Sequence, residues 1–438
     1  MNISDSTFHR CLRSQLYCGM IAATVIFSSI VGRAAVPDWG SFDYTPIHQM
    51  QSITADGSPA WSVPTVQPGD QQAYKLRGVV LNTPNEMLNC DPNYQEGPMW
   101  YMGGQWQIVV QAVARSGDDS KNPELVDDFG GVTLWVGQNY GNHAWHYGDW
   151  EYSYSNSEWV TELDRLNLPI DVSTGQPVTE PLRPGDLIEI RARGGLHYKG
   201  KFNVNEQHDN DAALDFEVLI LERNVEIPVA EIGLKDLKNA DDTFIVDEDI
   251  TSRASGGEFY QGQNVDLQGV RITNPEQWGQ IDSESGQLHD IDVTDGVRNF
   301  TVKPGENLLF GDTTAPAGLL DISGIGDQDS WDLLGGYRMW ALAPEAFTAS
   351  DWTCGDATLD GVIDGLDASI LATNWLDTSG VTWKDGDFNG DGKVDETDAT
   401  LLAANWSTAG NSTSVPEPSV VLLIILGALT AIVMRKHR

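Results

Sequence analysis

The residues with the clearest chemical spacing lie near the C-terminus, in "GDFNGDGKVDETDATLLAANW", Gly386 to Trp406. Numbered as a twelve-residue loop, the stretch offers Asp387, Asn389 and Asp391 at positions 1, 3 and 5 and Gly392 at 6. The Lys393 backbone carbonyl follows at 7, Asp395 at 9 and Asp398 at 12. A hard cation such as calcium takes six or more oxygens at about 2.4 Å, and alternate residues of a tightly wound loop turn inward to supply them. Gly392 permits the sharp turn. The pattern is the spacing of a calcium-binding loop.

A second copy, "GDATLDGVIDGLDASILATNW", Gly355 to Trp375, lies thirty-one residues upstream and matches at eleven of twenty-one positions. This is an internal duplication. It places Asp356, Thr358, Asp360, the Val362 carbonyl, Asp364 and Asp367 at the corresponding ligand positions. The Thr358 hydroxyl is a poorer ligand than a carboxamide or carboxylate, which predicts weaker calcium at the first loop. Position 8 is apolar in both copies, Ile363 and Val394, as expected if the loops lie side by side over these residues. Each loop feeds a segment whose Ala368, Leu371, Trp375 and Ala399, Leu402, Trp406 recur at i, i+3 and i+7, one apolar helix face. Two such helices can bury those faces only against each other, so the fold of the pair is expected to depend on metal. A merely solvated acidic loop would not explain the duplicated glycine, apolar positions and tryptophan.

The unit resembles a type I dockerin from Asp351 to about Ala409, including Asp rather than Glu at position 12. The resemblance implies two calcium ions and docking to a cohesin-like domain. It also implies that positions 10 and 11, Gly365–Leu366 and Glu396–Thr397, face the partner. The two pairs differ, so equivalent use of both faces is not implied.

The ends of the chain read as targeting segments. Arg10 and Arg13 precede an apolar run from Met20 to Val31, too short to span a bilayer comfortably, and small residues Gly32 and Ala34 follow. Residues 1–35 are predicted to be a secretory signal peptide. At the other end, Val420 to Met434 is uncharged and apolar apart from Thr430, and Arg435, Lys436, His437 and Arg438 would hold its end in the cytoplasm. A transmembrane helix is expected there. Val415, Pro416, Glu417 and Pro418, followed by that helix and basic tail, resemble the PEP-CTERM sorting signal of bacterial envelope proteins. The resemblance implies recognition by an exosortase, removal of the helix and passage to the cell envelope or surface.

The elements that must carry these sites fill a chain of 438 residues, more than one hydrophobic core usually organises. A net charge of -38 repels phosphate backbones and argues against nucleic acid as a partner. Of four cysteines, Cys11 and Cys18 fall in the signal segment, which leaves one bridge between Cys90 and Cys354 open in an oxidising compartment.

Residues 36–71 read as an irregular lead-in rich in Pro, Ser, Thr and Gln. Strand-like runs begin at Tyr74, Gln105, Gly130, Asp186 and Leu214, and a second series at Asn264, Leu288, Leu319 and Tyr337. Between the series, "LKNADDTFIVDED" suggests a helix and a linker. The pattern predicts a mainly β protein with two small barrels or sandwiches, at 72–226 and 227–350. The calcium module at 351–410 and the sorting segment at 411–438 follow. Gly-Val near the start of each series, "PGDLIEI" at Pro184 and "LLDISGIGDQ" before "GYRMWA" resemble strands of extracellular OB-fold-like domains.

No Gly-x-Ser-x-Gly elbow, His-Glu-x-x-His, phosphate loop or paired-cysteine motif is present. Their absence does not exclude an enzyme; the modular layout leads to the expectation of a non-catalytic binding or assembly protein. The one aromatic concentration, Asn139 to Trp159, holds His143, Trp145, His146, Tyr147, Trp150 and Trp159. Packing of a long loop onto the first β domain is the preferred account of them; sugar or peptide binding, which rings beside amides suit, comes second, and a metal role for His143 and His146 third. A carbohydrate-binding or hydrolase role in extracellular polysaccharide breakdown is the alternative reading. Trp278, Trp331, Tyr337 and Trp340 are expected to fill the second core, and His197, His208, Asp209 and Asp211 to sit on a hydrated hairpin.

Overall fold

Runs of β-branched and aromatic residues broken by Gly and Pro form the strands of two β-sheets. The computed structural model describes residues 43–61, 74–96, 101–113, 128–142, 146–205, 215–246, 256–283, 286–306, 308–350, 354–358, 362–378, 381, 383–389 and 391–406. The expected signal peptide, the Val415–Pro418 motif and the apolar Val420–Met434 segment lie outside the described residues. Among the described residues, no helix is long and apolar enough to cross a membrane.

The first sheet takes ten strands: β1 (Asp43–Tyr44), β2 (Tyr74–Val80), β3 (Gln105–Gln111), β4 (Gly131–Gly137), β5 (Ile170–Asp171), β6 (Gln176–Pro177), β7 (Leu187–Ala192), β8 (Leu196–Tyr198), β9 (Lys201–Asn205) and β10 (Glu217–Glu222). Their order is β6-β5-β10-β7-β2-β3-β4-β9-β8, with β1 parallel to the start of β2. Strands β3 and β4 are buried almost throughout, as expected where both faces are covered rather than one. Leu76, Trp106, Ile108, Leu134, Ile190 and Phe202 form the centre of this core.

Two elements here differ from the sequence reading. The lead-in is not wholly irregular: β1 and helix α1 (Ile47–Met50) bring Ile47 and Met50 into the first core. Buried Asp128 accepts the Ile47 N–H at 2.9 Å, one of the unpaired donors at that helix start. Inside the aromatic stretch, helix α2 (Asn156–Asn167) begins at Ser155 with a capping box. The Ser155 hydroxyl accepts the Glu158 N–H at 3.3 Å while Glu158 accepts the Ser155 N–H at 2.8 Å.

The second sheet holds β11 (Ala230–Ile232), β12 (Asn264–Ile272), β13 (Ile291–Thr294), β14 (Asn299–Pro304), β15 (Leu320–Gln328), β16 (Tyr337–Ala341) and β17 (Phe347–Ala349). Five of these close into a barrel: β12-β13-β14-β16-β15 and back to β12. The β14–β16 pairing is parallel, and β11 and β17 lie outside the ring. Gly269, at φ +71°, carries a bulge in β12, where the register shifts between Leu267 and Val270. Where the sequence suggested a helix, residues 234–246 instead make a 3₁₀ turn, Leu234–Asp236, and a bridge between Lys238 and Phe244. Short helix α3 (Gly257–Tyr260) packs on β15 and β16.

The two sheets meet directly. Val79, Leu81, Met87 and Val109 of the first pack with Ile325 and Trp340 of the second. Beside this contact, buried Asp327 binds Lys201 of the first sheet, the Arg338 Nε at 2.9 Å and the Trp340 indole N–H at 2.9 Å. Burial alone would raise the Asp327 carboxyl, but the Lys201 and Arg338 charges hold it below the usual carboxylate range. The chain ends its described part in a pair of helices, α4 (Gly365–Thr373) and α5 (Glu396–Ala404).

Candidate metal centre

Both helices of the C-terminal pair start in the same way. Asp364 accepts the Leu366 N–H at 2.8 Å and Asp395 the Thr397 N–H at 2.8 Å, each an N-cap. Asp367 and Asp398 reach back to the N–H groups of Asp364 and Asp395, at 2.8 and 2.9 Å. Their other oxygens accept the N–H groups that open each loop: Ala357 and Thr358 for Asp367, Phe388 and Asn389 for Asp398. One carboxylate thus ties the beginning of a loop to the beginning of its helix. Both are completely buried.

In the second loop, Asp387 accepts the N–H groups of Asp391 and Gly392 at 3.1 and 2.9 Å. The Asn389 side-chain oxygen also accepts the Asp391 N–H at 3.0 Å, and its amide donates to the Asp391 carboxylate at 3.2 Å. Gly392 sits at φ +79°, where a side chain would be strained. Lys393 is exposed and contributes its position by backbone alone. In the first loop the Thr358 hydroxyl donates to Asp356 at 3.2 Å, Val362 is half-buried, and Asp360 lies outside the described residues.

Carboxylate and amide oxygens of this kind are what calcium takes, so the donor set fits that ion by chemistry. Burial, with the Asp391 charge adding to it, pushes the Asp398 carboxyl up. A cation beside it would act in the opposite direction. Among the described residues no three acidic, His or Cys side chains converge as a metal cluster. Asp364 and Asp395 each commit one oxygen to a helix start, leaving the other, or a water, for position 9.

The duplication appears as a reciprocal contact. A Cβ on Gly355 (φ +107°) would sit 2.9 Å from the Leu402 Cα, and one on Gly386 (φ +100°) 2.8 Å from the Leu371 Cα. Each copy's opening glycine therefore lies against the other copy's helix backbone. Ile363, Val394, Leu371, Leu402 and Phe388 fill the core between them, flanked by Ala368, Trp375, Ala399 and Trp406. The Trp383 indole donates to the Asp356 carbonyl at 2.7 Å, linking the segment between the copies to the first loop. At positions 10 and 11, Gly365, Leu366, Glu396 and Thr397 are exposed. Cys90 and Cys354 are not joined in a disulfide, so the bridge left open by the sequence is not formed; the Cys90 thiol donates to the Pro84 carbonyl at 3.4 Å and Cys354 meets Arg271 at 3.3 Å.

The aromatic stretch of the first sheet is largely packed. Trp159 is fully buried on α2, its indole donating to the Cys90 carbonyl at 2.8 Å, and is part of the core rather than of any platform. His146 stacks on Tyr152 with ring centres 3.7 Å apart, Trp150 is half-buried and Tyr147 is exposed. His143 and Trp145 lie outside the described residues, as do His208, Asp209 and Asp211. His197 is held down to about 4 by burial and is neutral at ordinary pH. Trp278, Tyr337 and Trp340 are buried as expected, but Trp331 is 73% exposed, against the expectation that it fills the core. No spacing marked it out, because it stands in an acidic turn between two strands.

Residues 354–406 match the Dockerin type I domain, a family whose members bind calcium and dock to cohesin partners. No curated relative matches the chain's sequence.

Proposed function

From a type I dockerin at residues 354–406 we propose a secreted, non-catalytic assembly protein. Its β body is carried to a cohesin-like partner by a module holding two calcium ions. The duplicated loop and helix start carries this reading: Asp356, Thr358, Asp360, Val362, Asp364 and Asp367 serve one ion, and Asp387, Asn389, Asp391, Lys393, Asp395 and Asp398 the other. Export by the N-terminal segment, sorting by an exosortase at Val415–Pro418 and transient anchoring by the apolar helix complete the proposal. The five-strand ring, with its first strand bulged at Gly269 and its third and fifth strands parallel, supports an OB-like reading of the second β region.

Calorimetric titration with a type I cohesin tests the docking. Binding is expected in calcium, is lost in chelator, and weakens more for Asp391→Ala than for Thr358→Ala. Calcium-independent binding, or equal loss in both variants, would contradict the ligand assignment.

Polysaccharide binding by the β body is the second reading, favoured by surface rings such as the exposed Tyr147, with half-buried His146 and Trp150 near it in the chain.

A further inference from the structure

An exposed indole is an unusual feature on an acidic, polar surface, and Trp331 is the most exposed large apolar side chain described. It is not alone. Tyr198, 44% exposed, meets it edge to face with ring centres 5.3 Å apart and planes at 76°. The two rings come from different sheets: Tyr198 ends β8, and Trp331 stands in the turn between β15 and β16.

Both supports are fixed by structure beneath them. The β8–β9 turn places Lys199 at φ +51° and Gly200 at φ +92°, the two left-handed residues of a tight hairpin. Gly200 lies against the side chain of Gln328, where no Cβ would fit. Gln328 is fully buried and donates to the carbonyls of Leu333 and Gly335 at 3.0 and 2.9 Å, holding the Trp331 turn in shape. Across the junction the Ser330 N–H donates to the Lys199 carbonyl at 3.1 Å, and the Lys199 ammonium pairs with Asp329 at 2.7 Å. The rings are thus held in a set geometry without any occupant, which lowers the ordering cost of binding.

We propose that Trp331 and Tyr198 form a platform that binds a neutral polysaccharide across the junction of the two sheets. This places the polysaccharide reading of the β body at a specific site. A pyranose presents a face of C–H groups that an indole covers, while its hydroxyls need hydrogen-bonding groups at the rim. Exposed Asp332 and half-buried Ser330 adjoin Trp331 in the chain, and the Lys199 ammonium lies over the Tyr198 ring 5.5 Å from its centre, leaving the exposed Trp331 ring as the main face of the platform. The net charge of -38 and the exposed Asp332 next to Trp331 oppose anionic polymers, which is why the occupant is neutral.

The test uses the full chain, with hydroxyethylcellulose, galactomannan, xyloglucan and soluble starch as neutral probes and polygalacturonate and alginate as anionic ones. Affinity electrophoresis is expected to show retardation by at least one neutral polymer and by neither anionic one. Trp331→Ala should weaken it at least tenfold and Tyr198→Ala several-fold, while Trp331→Phe keeps part of it. Circular dichroism and calcium-dependent cohesin binding of the same samples should be unchanged, so failure of the docking proposal would be seen separately. Retardation unaffected by Trp331→Ala, or none with any neutral polymer, overturns the proposal. So does concentration-dependent self-association that Trp331→Ala abolishes, since a second copy would then be the occupant.

Discussion

Glu258 on α3 is buried, with one carboxylate oxygen accepting the Tyr337 hydroxyl at 3.0 Å and the other without a hydrogen-bond partner. Burial pushes its carboxyl up to about 8 from an ordinary 4.5; the phenol of Tyr337, itself pushed up by burial and by Glu258, faces it, and Asp332 acts on that phenol in turn. The folded state then keeps a proton that the unfolded chain has released. Stability at this residue is full below about pH 4.5 and is lost as the pH rises through about 8. Glu258→Gln should flatten that dependence and melt higher than the parent at pH 9, by at most about 5 kcal/mol in unfolding free energy. Scanning calorimetry at pH 5, 7 and 9 checks this, and parallel melting curves would refute it. Glu258 was silent in the sequence because its partner Tyr337 lies 79 residues away, and Asp327, which also binds Arg338 and Trp340, because Lys201 lies 126 residues away. The donors Asp387, Asn389 and Asp391 were legible because their geometry is local.

At the scale of elements, the paired glycines give the sharpest expectation. Gly355 and Gly386 both have left-handed φ, and a Cβ on either would press on helix backbone that has no side-chain freedom to yield. Gly355→Ala and Gly386→Ala should each lower the stability of the C-terminal module, by about 1–3 kcal/mol, and to similar extents. Calcium-saturated thermal unfolding followed at Trp383 and Trp406 measures it; a large difference between the variants would argue against the reciprocal contact. The sequence showed these glycines as repeated, but not what they touch. Helix α2 was missed for another reason. Its Ser155 and Glu158 capping pair stands in the chain, but the Tyr and Trp residues around it read equally as a binding surface. A small barrel was among the expectations for the second series, but not that β12 and β15 close it, since strand patterns carry no record of which edges meet.

Across the whole molecule, the two β regions expected as separate modules share an apolar contact and a buried ion-pair cluster. Asp327→Ala would leave Lys201 and Arg338 buried beside each other without their common partner, a loss on the order of 3–5 kcal/mol. Urea unfolding should show one transition for both sheets in the parent and a lower midpoint in the variant. Two separate transitions in the parent would contradict a joined body. The sequence placed the boundary between the series near residue 227 without indicating that they adhere, because Val79 and Trp340 read simply as strand residues. The link to the C-terminal module has a mechanical meaning. Tension entering through a docked module reaches the barrel at β17, three residues paired antiparallel to β15 and lying outside the closed ring. Among the described residues β17 is paired on one edge only, whereas every strand of the ring is held on two, so load passing along the chain meets this single seam before it meets the closed ring.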